Sequence, residues 1–409
     1  MAAATPTTHD AIIKHLYPDP NDVLIAMYEN NTLFAMLKKS FDGYGKNWHL
    51  PVRIAHTAGR SHDFTKAKAN KNASSVVEYQ ITITSNYSLY SVDGRLQRQT
   101  ANSKGAFVEA FEFELESAMD AMKRNLGYEP YLNGGGAIGQ IASGQTTATI
   151  TLTNINDIVK FEKNQVLVTS TADGTSGAVK TGTVTVKSVD RDAGTITCAD
   201  ANVTWNNAAG IPTVAANDFI FTEGDFGLGI KGLAAWIPGT APTGGDSFFG
   251  LDRSQDAVRL AGSRVDLRTL GPEEQMQKMA QVSARNGGKG SHVFYNDLDY
   301  LALILALGSR RQIANSETEG KIGFEGVKVM TGYGTVEAYS DYNQTQGIAH
   351  MLELKNWELK GPGQFPFIEA RDGQKILRED AADAFEGRII AYNQMQSKKV
   401  AGSVRGRLT

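Results

Sequence analysis

Two glycine runs have the spacing that can cradle a pyrophosphate: Gly134-Gly135-Gly136-Ala137-Ile138-Gly139 and Gly227-Leu228-Gly229-Ile230-Lys231-Gly232. A working dinucleotide loop follows a strand and opens a helix, so that the helix N-terminus meets the phosphates. The first run follows a long helical pattern and leads into threonine-rich strands. The second is followed by Trp236-Ile237-Pro238, which starts no helix. In a chain with 42 glycines both read as flexible connections. Asp225-Phe226-Gly227 matches a kinase triplet, but no catalytic-loop partner accompanies it. The seven histidines form no paired-ligand spacing. His49, His56 and His62 lie near one polar loop and read as solvated or hydrogen-bonded. Cys198 is the only cysteine, so the chain has no internal disulfide and no thiolate metal cluster. No positive charge neighbours it, and it reads as a small buried hydrophobe. No catalytic, cofactor or metal site emerges, and the expectation is a protein that is not an enzyme.

The elements that would position such groups are clearer. The stretch to Lys46 reads as an arm with a short helix carrying Leu24, Met27 and Leu33 roughly on one face. Trp48–Ile54 reads as a strand. Val77, Tyr79, Ile81 and Ile83, then Tyr87 and Leu89, alternate with polar neighbours, as in a strand with one buried face. Between them His56–Ser75 is a long loop without apolar pattern, of the kind that is functional or disordered. Lys104–Leu126 is the strongest helix: Val108, Phe111, Leu115, Ala118, Met122 and Leu126 share one stripe. Ser103 suits its N-cap and Gly127 its closing position.

Asn133–Gly144 reads as a glycine-rich connection. Gln145–Thr222 then carries sixteen threonines and five short alternating runs separated by Gly/Asp turns. Such a segment reads as a small all-β barrel or sandwich, inserted over 145–223. Residues 224–271 are loop-rich. Pro272–Arg285 reads as a helix with proline at its first position and acids in its first turn. Asp297–Leu307 is apolar nearly all round and reads as a buried helix. Strands follow at Val327–Val329, Thr335–Tyr339 and Ile348–Leu354. Ala384–Met395 is ambiguous between helix and strand.

At 409 residues the chain needs two or three cores, or one core with large insertions. With 41 basic and 44 acidic residues the net charge is −3, which argues against a dedicated nucleic-acid binder and against a disordered acidic chain. The longest strongly apolar run, Leu301–Leu307, is far short of the ~20 residues of a membrane helix, so no membrane partner is expected. Met1–His9 shows no basic-then-apolar secretory pattern.

The order of parts is an arm, two strands around a long basic loop, a long helix, a β insertion, a compact α/β segment, returning strands and a basic end. It resembles the major capsid protein of tailed bacteriophages, the Hong Kong-type shell fold. Ser247-Phe248-Phe249-Gly250-Leu251-Asp252-Arg253-Ser254 looks like a segment common in such coat proteins, and Ala384–Tyr392 resembles their closing strand. The resemblance implies an α+β fold with an N-terminal arm (1–46), an extended loop and its stem (47–96), and a spine helix opening a peripheral domain (97–144). The inserted β domain (145–223) and the loop-rich connection would follow. An axial domain (272–346) and a return to the peripheral domain with a basic tail (347–409) would complete it. It further implies a structural subunit that assembles with itself into hexamers and pentamers enclosing double-stranded DNA, in a virion assembled in the host cytoplasm. Scaffolding, portal and decoration proteins would be its other partners. Because no large segment precedes the loop, scaffolding would be a separate protein or a processed N-terminus. Two alternatives stay open: the shell of a bacterial encapsulating nanocompartment, which shares the fold, and a β-domain surface or carbohydrate binder.

Charge supports assembly on its own terms. Between Lys38 and Lys71 there are eight basic residues and two acids. The long helix carries Glu109, Glu112, Glu114, Glu116 and Asp120. A projecting loop has little to pack against in its own copy, so Arg60, Lys66, Lys68 and Lys71 are expected to meet the acidic helix of an adjacent copy, setting partner and register. The alternative is two solvated charge clusters. Near-neutral net charge suits many copies packed side by side. The end of the chain, with Lys398, Lys399, Arg405 and Arg407, either faces packaged DNA or is disordered, the second being preferred. Some family members join subunits by lysine–asparagine bonds. Lys66, Lys68 or Lys71 has the right chemistry, but no partner or assisting carboxylate is visible, and crosslinking is not predicted.

Overall fold

The computed structural model describes residues 31–93, 104–198, 204–308, 312–317, 323–369, 377–379 and 383–409. Leu24, Met27 and Ser103 lie outside them. The arm enters as a buried single-turn helix, α1 (Thr32–Met36), followed by β1 (Lys38–Ser40). Strands β2 (Asn47–Ala55) and β3 (Ser75–Thr82) pair as a separate antiparallel ribbon. The intervening loop is not structureless: it holds the helix α2 (Phe64–Ala69), because Asp63 caps it by accepting from the amides of Thr65 (2.7 Å) and Lys66 (3.2 Å).

β4 (Thr84–Asp93) corrects the expected alternation. Its buried residues are Tyr90 and Val92, while Tyr87 and Leu89 face outward at 54% and 55% exposure. The single break at Ile83 shifts the pleat by one residue, which exchanges the two faces. The long helix α3 (Lys104–Tyr128) has 25 residues and buries Leu115, Ala118, Met122 and Leu126. At 1.5 Å per residue it is about 38 Å long. The side chains of Val108 and Phe111 lie outside the described residues. Gly127 does not close α3. It sits inside the helix, where an added Cβ would stand 2.2 Å from Asn31 Oδ1.

Strands β5 (Gly139–Ser143), β6 (Thr149–Leu152), β7 (Val166–Ser170), β8 (Val184–Asp190), β9 (Thr195–Cys198) and β10 (Phe219–Thr222) close a barrel in the order β10-β5-β6-β9-β8-β7. Ile141, Ile150, Leu167, Val186, Ile196 and Ile220 fill it, with Cys198 buried on β9. The barrel starts at Gly139, so part of the supposed glycine connection is its first strand. Gly134–Gly136 is a packing seam: a Cβ on Gly135 would meet Asp173 O at 2.0 Å, and one on Gly136 would meet Asp225 O at 2.2 Å. The second glycine run does precede a helix, the single turn α4 (Leu233–Trp236). Its backbone is packed against protein, since a Cβ on Gly232 would lie 2.3 Å from Pro130 O.

The remainder adds α5 (Ala257–Ala261), β11 (Ser263–Asp266), α6 (Pro272–Arg285), β12 (His292–Tyr295), α7 (Asp297–Leu307), β13 (Gln312–Glu317), β14 (Gly323–Thr331), β15 (Gly334–Ser340), β16 (Ile348–Leu352), β17 (Trp357–Lys360), β18 (Ala384–Ser397) and β19 (Val404–Arg407). A seven-stranded sheet runs β11-β19-β16-β12-β15-β14-β13. Its apolar core includes Met276 and Met279 of α6 and Leu303 and Leu307 of α7. A second sheet runs β1-β17-β18, and β4 pairs with the first half of β18. The 384–395 segment, ambiguous from its sequence, is a long strand, as the likeness to a closing strand implies. Two expectations fail here. The chain end is no disordered tail: β19 lies between β11 and β16, and Val404 is fully buried. α7 is not buried all round, since Leu298, Leu301 and Leu305 are 53%, 51% and 73% exposed. Uniform apolarity does not bring uniform burial: Leu303 and Leu307 are covered, and the opposite face is not.

Asp341 joins the arm, the end of α3 and the seven-stranded sheet. Its carboxylate accepts from Leu33 N (3.0 Å), Tyr131 Oη (2.7 Å) and Asn343 N (3.0 Å). Asn31 completes the joint, donating to Lys123 O (3.2 Å) and accepting from Asn343 Nδ2 (3.0 Å). Burial, opposed by those hydrogen bonds, pushes Asp341 up to about 6. A raised carboxyl adds stability that is complete below its ordinary 3.8 and lost as the pH rises through about 6. The effect is on the order of 3 kcal/mol. The melting temperature of the wild type should therefore rise relative to that of Asp341→Asn as the pH is lowered from 7.5 to 4.5. A constant difference between the two would exclude this joint as the titrating group. Gly127→Ala should cost about 1–3 kcal/mol in urea unfolding, because Asn31 is held by its own hydrogen bonds and cannot retreat.

Candidate assembly surface

The β2–β3 ribbon is buried at its root and bare at its tip. At the root Trp48, Leu50, Tyr79 and Ile81 are buried. Trp48 Nε1 donates to Gln396 Oε1 (2.8 Å), and Tyr79 Oη donates to Leu260 O (2.9 Å). Tyr79 packs edge-on against Trp236 and Phe248, at 5.1 and 6.1 Å between ring centroids. Burial pushes its hydroxyl pKa upward, so it stays a neutral donor.

The coat-like segment Ser247–Ser254 builds this root. Phe249 and Gly250 turn the chain with positive φ, +50° and +77°. Phe249 O then accepts from Gln80 N of β3 at 2.9 Å. Buried Arg253 organises the segment: it pairs with Asp246 (2.7 Å), donates to Ala235 O (2.7 Å) and lies 4.0 Å from the Phe248 ring centre. On the other side, Ser88 Oγ of β4 donates to Ala118 O of α3 (2.9 Å), and Asn86 Nδ2 donates to Glu129 Oε1 (3.1 Å). Burial, reinforced by Asp225, pushes Glu129 up to about 8, so it sits at the helix end as an acid without charge at neutral pH.

Ile54 still packs against the core, and Arg259 holds its carbonyl; among the described residues the ribbon is bare beyond it. From His56 to Val76 every residue is exposed except Gly59 and Ala67, which are half-buried. Arg60 precedes α2, Lys66 and Lys68 lie on it, and Lys71 follows it, all exposed. Among the described residues none of these four has a carboxylate partner. Glu114 and Glu116 are exposed on α3, while the side chains of Glu109 and Glu112 lie outside the described residues. Among the described residues no ion pair joins Arg60, Lys66, Lys68 or Lys71 to Glu114 or Glu116 within one copy.

Sequence reasoning missed the apolar part of this surface. Phe64, the first residue of α2, is 81% exposed, and Val76 at the ribbon edge is 58% exposed. A lone large aromatic in a polar basic loop was the available signal. The outer leucines of α7 form a second apolar face. Among the described residues no cluster of potential metal ligands occurs, and His49 is engaged with Glu78 across the ribbon at 3.1 Å. No helix among the described residues is long and apolar enough to cross a membrane.

No family model and no curated protein matches the sequence. Solved structures do. The chain is similar to a subunit in the Cyanophage A-1(L) capsid asymmetric unit, with TM-score 0.50 and 11% identity over 93% of this chain and 92% of that one. A Mycobacterium phage Ogopogo chain follows at TM-score 0.43 and 8% identity, over 93% of this chain and 92% of that one. The holo-SrpI encapsulin of Synechococcus elongatus PCC 7942 aligns at TM-score 0.41 and 7% identity, over 100% and 96% of the two chains. The buried-root, bare-tip ribbon beside a long helix and two sheets is thus the α+β Hong Kong-type fold of tailed-phage coat proteins, here carrying an inserted six-stranded barrel.

Proposed function

We propose that this protein is the structural subunit of an icosahedral virus shell, assembling with itself into hexamers and pentamers around double-stranded DNA. The observation that supports the reading is the ribbon tip: a capped helix with an exposed Phe64 and cations that, among the described residues, have no carboxylate partner, projecting from a buried root. A two-stranded ribbon alone is marginal in water, so its outer half needs a surface to lie on. A neighbouring copy supplies one, with the acidic face of α3 as the electrostatic match. The role is architectural, without catalysis. A separate scaffolding protein, a portal and a decoration protein are the partners such a shell would use, and assembly would take place in the host cytoplasm.

Negative-stain electron microscopy of the protein, expressed with and without its genomic neighbours, should reveal closed shells or their capsomers. A purely monomeric product in both cases would end the proposal. Reversing Glu112, Glu114 and Glu116 to Lys should abolish shells, and adding Lys66→Glu and Lys68→Glu should restore them. Phe64→Ser should block assembly while moving the unfolding free energy of the single chain by no more than about 0.5 kcal/mol, as for an exposed site. Shells that form normally in the charge-reversed and Phe64→Ser proteins would exclude the ribbon as the assembling element.

A further inference from the structure

The end of the chain presents a second site, independent of the ribbon. Strand register places Arg264 of β11 opposite Arg405 of β19, and Asp266 opposite Arg407. Residues paired across a ladder share a face, so three guanidinium groups converge on one side of the seven-stranded sheet. They line a cleft of about 580 Å³ together with Gln346 and Thr409.

Among the described residues the arginines of this cleft outnumber its acids. Asp266 is already claimed by Arg268, which reaches both its oxygens at 2.9 and 2.6 Å. Among the described residues Arg264, Arg405 and Arg407 have no aspartate or glutamate within ion-pair distance. Their partners are backbone carbonyls: Arg264 donates to Pro238 O and Ala261 O (both 2.8 Å), Arg405 to Ile237 O (3.3 Å) and Arg407 to Thr409 O (3.0 Å). Burial lowers the affinity of Arg264 and Arg405 for their protons, and the neighbouring arginines add to this for Arg264. On β16, His350 stands opposite Arg405, fully buried, with Nε2 unbonded and its pKa held well below the ordinary value by burial. The neighbourhood therefore holds several partly desolvated guanidinium groups against one aspartate, Asp266, which Arg268 holds directly and Arg407 also attracts. Carbonyl contacts, including a third from Arg264 to Gly262 O (3.3 Å), hold these planar guanidinium groups on one wall, where their remaining N–H donors suit a tetrahedral oxyanion.

We infer that this cleft is a phosphate-binding site, in which Arg264, Arg405 and Arg407 hold the oxyanion of inorganic phosphate or of a nucleic-acid backbone. The inference stands apart from the shell reading, since it requires only the single folded chain.

The test uses unassembled full-length protein and inorganic phosphate, by calorimetry and thermal shift, against sodium chloride at matched ionic strength. Phosphate should raise the melting temperature where chloride does not. Arg407→Gln, an exposed change that leaves the core intact, and Arg405→Gln should each weaken phosphate binding about tenfold or more, the loss of one charge-assisted pair. A labelled 12-base-pair duplex distinguishes the sources. If the same variants also weaken duplex binding about tenfold, the phosphate is that of nucleic acid. If duplex binding is unmoved while phosphate binding falls, the site takes the free ion. Absence of any phosphate effect beyond matched chloride, or a phosphate effect that survives in Arg407→Gln and in any foldable Arg405 variant, would overturn the inference.

Discussion

A two-stranded ribbon has no interior. Each of its faces must be covered by something else or stay wet, and this single constraint orders the rest of the molecule. The inner half of β2–β3 solves it within the chain: Tyr79 and Ile81 enter a core shared with Trp236, Phe248 and Trp357. That core exists because Arg253, a buried cation, is matched by Asp246 and by two carbonyls, so the aromatic residues around it can close without stranding a charge. The outer half has no such solution. The chain spends a capping aspartate and a helical turn on ordering a segment that stays exposed among the described residues, the arrangement from which the proposed contact with another copy is argued.

Projection also requires a rigid base, and the base is polar where it might have been apolar. Asp341 binds the arm's Leu33 amide and the Tyr131 hydroxyl at the end of α3 in one buried cluster, with Thr32 Oγ1 bonded to Ser340 O beside it. Hydrogen bonds of this kind add less net stability than apolar packing of the same volume, but they are directional. They fix the angle between α3 and the seven-stranded sheet, on which the direction of the ribbon depends. A joint carrying a carboxyl near 6 is also less costly to bury in mild acid than at neutral pH.

The fold was legible in the sequence where periodicity and turn chemistry act locally. The five threonine-rich runs are all barrel strands, Pro272–Arg285 is a helix with the expected bounds, and the α3 stripe buries Leu115 to Leu126. What was illegible depended on neighbours. The face of β4 turned on one residue, Ile83, whose break carries no compositional mark. The basic end looked like a tail because charge was read as exposure, although a strand with Gly406 against Leu267 and Met279 can sit inside a sheet while its arginines reach the rim. The reverse error made α7 a core helix. Apolar residues say that a surface will be covered, but not by which molecule. The candidate contact residues lie on the ribbon tip and on α3, and a meeting between copies is not something the geometry of one chain can display.

The two basic surfaces differ in kind, and the difference follows from their side chains. The ribbon tip carries three lysines and one arginine in open solvent, where each ion pair is worth ~0–1 kcal/mol and is screened by salt. Contacts that weak cannot hold two copies together singly, but repeated around a ring they add as linked events, and each remains reversible enough to correct a misplaced subunit. The apolar Phe64 supplies the part that salt does not screen. The cleft at β11 and β19 is the opposite case, with arginines fixed by carbonyls on a rigid sheet. Preorganised forks of that sort lose little entropy on binding and discriminate by geometry as well as by charge. The proposed lattice contacts through lysines and the inferred site of fixed arginines would therefore work under one ionic strength without competing, because the first would tolerate displacement of its partners and the second would not.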